Sequence, residues 1–176
     1  MYPQRHRIRH RRVRLGGVAT IKVEHESSRL LNDRGSDLGA AAGDFISVVL
    51  PCLNEQDSVG LVVGEALAIL DHAGLAGEVV VVDNGSSDRS AEVAVAAGAR
   101  VVHEARRGYG RALRTGIEQA KGSIIVMADA DWTYDMTKLP LLVDPVVRDV
   151  ADITIGSRLQ SCLLYTSPSP RDRQKS

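Results

Sequence analysis

Aromatic residues are scarce in this 176-residue chain, 3% in all, with one Trp and one Phe. Any core must therefore be filled by Val, Ala, Leu and Ile. Apolar residues total 44%, enough for one globular domain at this length. Cysteine is limited to Cys52 and Cys162. Two widely spaced thiols build neither a disulfide framework nor a zinc site, so a reducing, cytoplasmic compartment is the default expectation. No apolar run approaches the roughly 18 residues that cross a bilayer. The Arg-rich start is not followed by the apolar segment of a secretory signal. Net charge is zero, which gives no reason to expect a nucleic-acid ligand. The charge is uneven, however: six arginines fall within the first fourteen residues, a basic arm able to touch phosphate or anionic lipid. Several motifs are also missing. There is no Gly-x-Gly-x-x-Gly after the first strand and no P-loop, which argues against dinucleotide and P-loop sites. No Gly-x-Ser-x-Gly elbow supports an esterase triad. The five histidines show no metal-ligand spacing.

Three zones follow one another. Residues 1–43 hold the basic run, then mixed polar sequence, then a Gly- and Ala-rich stretch, without a sustained period. This zone is expected to be a disordered leader, or translation from a start codon placed too early. Residues 44–160 read as the folded domain. Residues 161–176 are rich in Ser, Pro and Arg without period and are expected to be a disordered tail.

Within the domain, strand and helix patterns alternate. Phe45–Leu50 is a short apolar run ended by Pro51 and reads as a buried strand. Asp57–His72 places Val59, Val62, Val63, Ala66, Leu67, Ile69 and Leu70 at helical spacing. Glu78–Asp83, with four valines between its acids, is a second buried strand. Asn84–Asp88 is turn and cap chemistry opening a helix to Ala97, with Ser86 or Ser87 as the expected cap. Ala99–His103, Ser123–Asp129 and Asp152–Gly156 read as further strands, and Gly108–Ala120 and Met136–Val150 as helices. Pro145 should kink or split the last of these. The alternation predicts a three-layer α/β fold, a mostly parallel sheet with helices on both faces.

Ligands bind such sheets beyond the carboxyl ends of the strands, and the polar clusters fall there. Asp129 and Asp131, one residue apart at a strand end, can meet one cation because alternate side chains share a face. Hard carboxylate oxygens suit Mg²⁺ or Mn²⁺, with a substrate diphosphate completing the shell. Asp83 closes the valine strand, where it either accepts from a nucleoside or caps the following helix. Asn54 and Glu55 follow Pro51 at the first strand end. They either hold a nucleoside or serve as a turn and a first-turn acid. Arg107, Gly108 and Gly110 open a helix and form a candidate phosphate cradle. Cys52 reads as a small strand-end filler without a partner base.

Together, Val48-Val-Leu-Pro-Cys-Leu-Asn-Glu55, Val80-Val-Val-Asp-Asn-Gly-Ser-Ser-Asp88 and Asp129-Ala-Asp131 resemble family 2 glycosyltransferases. Arg107-Gly-Tyr-Gly110 and Ile155-Gly-Ser-Arg158 strengthen a likeness to the branch of dolichyl- and polyprenyl-phosphate sugar synthases. The resemblance implies a GT-A fold and inverting transfer from a UDP- or GDP-linked sugar. The acceptor it implies is a lipid phosphate, met peripherally at the cytoplasmic membrane face. Pro51, Asn54, Glu55 and Asp83 would line the nucleoside pocket. Asp129 and Asp131 would bind the metal and diphosphate, and Arg158 would sit near a phosphate. Asp131 and Arg158 are thus the expected catalytic pair. Trp132 stands where this branch often has Gly. The GT-A fold also needs more sheet after Gly156, whereas Cys162–Asp172 resembles a translated sequencing adapter. The chain is therefore expected to be a fragment that does not turn over alone. The competing readings are a nucleotidyltransferase of similar sheet, which usually has a Gly-rich, Lys/Arg-bearing loop after its first strand, and a non-catalytic nucleotide-binding fragment.

Overall fold

The computed structural model describes residues 19–22 and 44–156. The basic arm, the Ser/Pro/Arg tail, Cys162 and Arg158 lie outside the described residues. The elements in chain order are β1 (Ala19–Lys22), β2 (Ile46–Cys52), α1 (Val59–His72), β3 (Gly77–Asp83), α2 (Ser90–Ala96), β4 (Arg100–His103), α3 (Tyr109–Gln119), β5 (Ile124–Met127), a 3₁₀ turn (Met136–Lys138), α4 (Leu139–Val147) and β6 (Ile153–Ile155).

They form one six-stranded sheet in the order β4-β3-β2-β5-β1-β6. Pairing is parallel from β4 through β5, and β1 runs antiparallel to both its neighbours. The sheet is therefore mixed, with a single reversed strand. That strand falls within the stretch expected to be a leader. Its four residues, Ala-Thr-Ile-Lys, carry no readable period. Only the edges offered by β5 and β6 give it a place.

Both faces of the sheet are covered, which is why the valine strand can be apolar without alternation. Val79 and Val81 pack with Ile46, Val48 and Leu50 beneath α1, α2 and α4. Val80 and Val82 face the other way, with Val49 and Ile125, beneath α3. The α3 layer comes close because it presents Gly116. A Cβ at that position would stand 2.3 Å from Val49 Cγ1 and 2.8 Å from Val82 Cγ2, so any side chain there must push the helix off the sheet.

Element ends differ from expectation in instructive ways. Strand β2 continues through Pro51 to Cys52 and stays paired with β3, Pro51 lying opposite Val82. Proline is tolerated because the β5 ladder stops at Val49–Met127. Beyond that point β2 has an open edge on the β5 side, where no ladder N–H is needed. The expected helix over Met136–Val150 is a 3₁₀ turn followed by α4. Pro145 is accommodated in the last turn of one helix, which ends two residues later.

Candidate functional site

The chain leaves β2 toward β3 and β4 on one side and returns to β5 on the other. This is the topological switch point at which open α/β sheets bind ligands. A cavity of about 330 Å³ opens there, lined by residues that include Pro51, Glu55, Asn84, Tyr109, Asp129 and Asp131. Four of the residues singled out from sequence, Pro51, Glu55, Asp129 and Asp131, are therefore brought together. Asn54, Asp83, Arg107, Gly108 and Gly110 are not in the lining.

Asp129 and Asp131 lie on the loop after β5 rather than on the strand, which ends at Met127. Ala130 between them is 2% exposed and packs into the core, and all three residues line the cavity. Asp129 Oδ1 accepts from Tyr109 Oη at 2.9 Å. Asp131 Oδ1 accepts from Thr133 N at 2.9 Å and from the Thr133 hydroxyl, the arrangement of an Asx turn. Two hard carboxylates lining one cavity fit Mg²⁺ or Mn²⁺. Among the described residues no group of three His, Cys, Asp or Glu could form a fuller cage. Two carboxylates leave most of such an ion's shell open to diphosphate and water, which Mg²⁺ habitually retains.

The loop after β2 is laced to the loop after β3. Asn54, held in a left-handed conformation at φ 60, donates its N–H to Ser86 Oγ at 3.0 Å and accepts from Ser87 N at 2.8 Å. Glu55 N donates to Ser90 Oγ at 2.8 Å, and Gln56 N to Asp88 Oδ2 at 3.2 Å. The serines expected to cap a helix thus bind the neighbouring loop instead. Helix α2 starts later, at Ser90, whose N–H is taken by Asp88 Oδ1 at 3.0 Å. Glu55 also precedes its helix: its carbonyl accepts from Val59 N at 2.9 Å and its carboxylate from Ser58 Oγ at 3.1 Å.

Asp83 does not cap α2 either. Its Oδ1 accepts from Ser86 N at 3.0 Å and its Oδ2 contacts His103 Nδ1 at 3.1 Å. Burial opposes its ionisation, but the hydrogen bonds from Ser86 and His103 outweigh burial and hold the carboxyl below its usual range.

Two residues to which sequence reasoning gave no site role organise the third loop. Asn84, buried, donates Nδ2 to Glu104 O at 2.9 Å and Arg106 O at 3.0 Å, and accepts from Gly108 N at 2.7 Å. Glu104, also buried, accepts from Arg106 N and Nε and from Thr115 Oγ1 at 2.7 Å. The Arg106 hydrogen bonds, then Thr115, pull its carboxyl down to about 2. The Gly108 N–H, expected to face a phosphate, is therefore spent on Asn84. Gly108 itself sits at φ 141, a conformation that favours glycine. Arg107 is exposed and reaches Gly85 O, at 3.4 Å. Burial, then the Asp129 carboxylate, push the Tyr109 phenol up, so that it remains a donor. Cys52 lies at the cavity with its thiol pushed up to about 11, chiefly by burial, which favours the protonated thiol at neutral pH.

Trp132, directly after the acids, is half-exposed and adopts φ 59. A bulky side chain pays about 1–2 kcal/mol in that region, which gives a physical reason for glycine at this place. Trp132→Gly should leave the unfolding free energy unchanged or raise it by up to about 1 kcal/mol, since the relieved strain is partly offset by chain entropy. Urea titration checks this. A loss above about 1 kcal/mol would mean that indole packing, not backbone strain, sets the loop.

Comparison with known proteins gives concordant findings. The family model described as glycosyl transferase family 2 matches residues 47–173, past the domain end expected at 160. The low-salt glycan biosynthesis hexosyltransferase of Haloferax volcanii is 36% identical over 154 residues, covering 88% of this chain and 36% of that protein. That alignment is longer than the segment 44–160, so it takes in residues expected to lie outside the domain. A dolichyl-phosphate hexose transferase of the same organism is 37% identical over 116 residues, covering 66% of this chain and 49% of that protein. Glucosyl-3-phosphoglycerate synthase from Mycobacterium tuberculosis, solved in complex with Mn²⁺, UDP and glucosyl-3-phosphoglycerate, is 36% identical. It superposes with a TM-score of 0.54 over 60% of this chain and 40% of that one. The chain thus spans between about a third and half the length of these relatives. With the family model covering most of its length, on a sheet and switch-point cavity of the expected kind, the chain belongs to glycosyl transferase family 2.

Proposed function

We propose that this chain carries the donor-nucleotide site of a metal-dependent, inverting glycosyltransferase. Its donor is a UDP- or GDP-linked sugar, and its acceptor is a polyprenyl or dolichyl phosphate met at the cytoplasmic membrane face. The observation that carries the reading is the convergence of Asp129, Asp131, Glu55 and Pro51 on one cavity at the switch point. The UDP and Mn²⁺ bound by the mycobacterial relative support the donor and metal classes. The dolichyl-phosphate relative supports the acceptor class. Among the described residues no helix is long and apolar enough to cross a membrane. Family membership sets the nucleotidyltransferase alternative aside.

In this reading Asp129 and Asp131 hold Mg²⁺ or Mn²⁺, which when bound stabilises the charge of the departing diphosphate. A lipid phosphate is already an anionic nucleophile, so the protein's contribution is positioning and charge neutralisation rather than a general base. Arg158 would add its charge near a phosphate. Asn54 shapes the nucleoside side by clasping the loops after β2 and β3, and Asp83, which sets the turn beside it, offers its carboxylate to the nucleoside. Arg107 and the exposed backbone at Gly110 remain available to phosphate.

Calorimetry of UDP and GDP, each with Mn²⁺ and with EDTA, tests the proposal. One nucleotide should bind in the presence of metal, which identifies the donor class. Absence of metal-dependent binding by either would refute it. Asp83→Asn keeps the acceptor for Ser86 N but removes the charge. It should weaken nucleotide binding about tenfold, the scale of one charge-assisted hydrogen bond. Unchanged affinity would reduce Asp83 to a turn residue.

A further inference from the structure

Tyr109 joins two loops that share no strand pairing. It is the first residue of α3, and its hydroxyl donates to Asp129 on the loop after β5. Tyr109 as a residue is 59% exposed, so it is no core filler, and it lines the cavity beside both acids. The backbone that presents it is fixed from below. Gly108 N is held by Asn84, which also grips the carbonyls of Glu104 and Arg106. Gly116 seats the same helix against Val49 and Val82. The Tyr109–Asp129 bond takes Oδ1 and leaves Oδ2 for a cation. A hydrogen-bonded partner that fixes a carboxylate's orientation is the arrangement that tunes metal ligands.

We propose that Tyr109 is a positioning residue that holds the Asp129 carboxylate ready for a divalent cation and the diphosphate it carries. The inference rests on the donor-site reading above. The phenol binds no metal itself; it removes the torsional freedom that Asp129 would otherwise lose when the ion arrives. Its effect should therefore appear in the metal-dependent part of nucleotide affinity and nowhere else.

The test compares the full chain with Tyr109→Phe, which keeps the ring and deletes the hydroxyl. UDP and GDP affinities are measured by calorimetry with Mn²⁺ and with EDTA, and thermal stability is recorded alongside. The expected result is an affinity gain from Mn²⁺ that falls about tenfold, in the range for outer-shell partners. Metal-free affinity and melting temperature should stay at wild-type values. An unchanged or enlarged Mn²⁺ gain in Tyr109→Phe would overturn the proposal, the latter by showing that Tyr109 competes with the ion. Equal losses with Mn²⁺ and EDTA would overturn it too, assigning Tyr109 to nucleotide contact. If the wild-type chain shows no Mn²⁺ gain with either nucleotide, the donor-site reading fails and the inference falls with it.

Discussion

Asp131→Asn should abolish the metal-dependent part of nucleotide binding while leaving the fold intact. In the proposed reading Asp131 has two roles that the substitution separates. Its Oδ1 accepts from Thr133 N and the Thr133 hydroxyl, and an asparagine carbonyl can replace that turn bond. The charge that draws a divalent cation is not replaced. A ligand to the ion should cost more than the roughly 10–100-fold expected of an outer-shell partner, so the gain from Mn²⁺ should vanish. Asp131→Ala should give the same binding defect plus a small loss of stability from the broken turn. Calorimetry with Mn²⁺ and EDTA, run beside thermal denaturation, distinguishes the outcomes. If Asp131→Asn keeps its Mn²⁺ gain, the residue is a turn former and the metal rests elsewhere.

The largest stability effect is expected at Asn84. Its side chain makes three hydrogen bonds at 2.7–3.0 Å from a position 4% exposed to solvent. Asn84→Ala leaves two carbonyls and one N–H without their partner. Each such group costs about 1–3 kcal/mol when water cannot replace the bond. Some of these groups lie near the open loop and regain water, so about 3 kcal/mol is expected in total. Asn84→Asp should do no better: it keeps an acceptor for Gly108 N but sets a carboxylate against two carbonyl oxygens. Urea unfolding measures the loss. Hydrogen exchange at Gly108 should rise well beyond the global change, because that N–H loses the Asn84 carbonyl as its acceptor. A loss under about 1 kcal/mol would show that the loop over residues 104–108 holds itself.

The element plan was legible because strands buried on both faces leave a strong mark. The four valines between Glu78 and Asp83 need no alternation when helices cover both sides, and the helical spacing over Val59–Leu70 names its own core face. Pro51 misled the reading of β2, because whether a proline ends a strand depends on the neighbour beside it, and β5 withdraws there. Strand β1 left no mark at all. Its four residues are held by the edges they meet, and edges belong to the assembled sheet.

The site divides in the same way. Sequence by itself determined which chemistry sits at the strand ends: the acids at 129 and 131, Glu55 behind Pro51, and the turn from Asp83 to Asp88. Strand direction puts those ends on one rim, so the residue types were enough. Tertiary structure alone decided how each side chain is employed. Ser86 and Ser87 serve the neighbouring loop instead of a helix. Gly108 spends its N–H on Asn84, and Tyr109 reaches across the cavity to Asp129. A hydrogen bond is settled by which groups approach within about 3 Å. Contacts spanning 20 to 33 residues of chain, as these do, are fixed only when the loops close on one another.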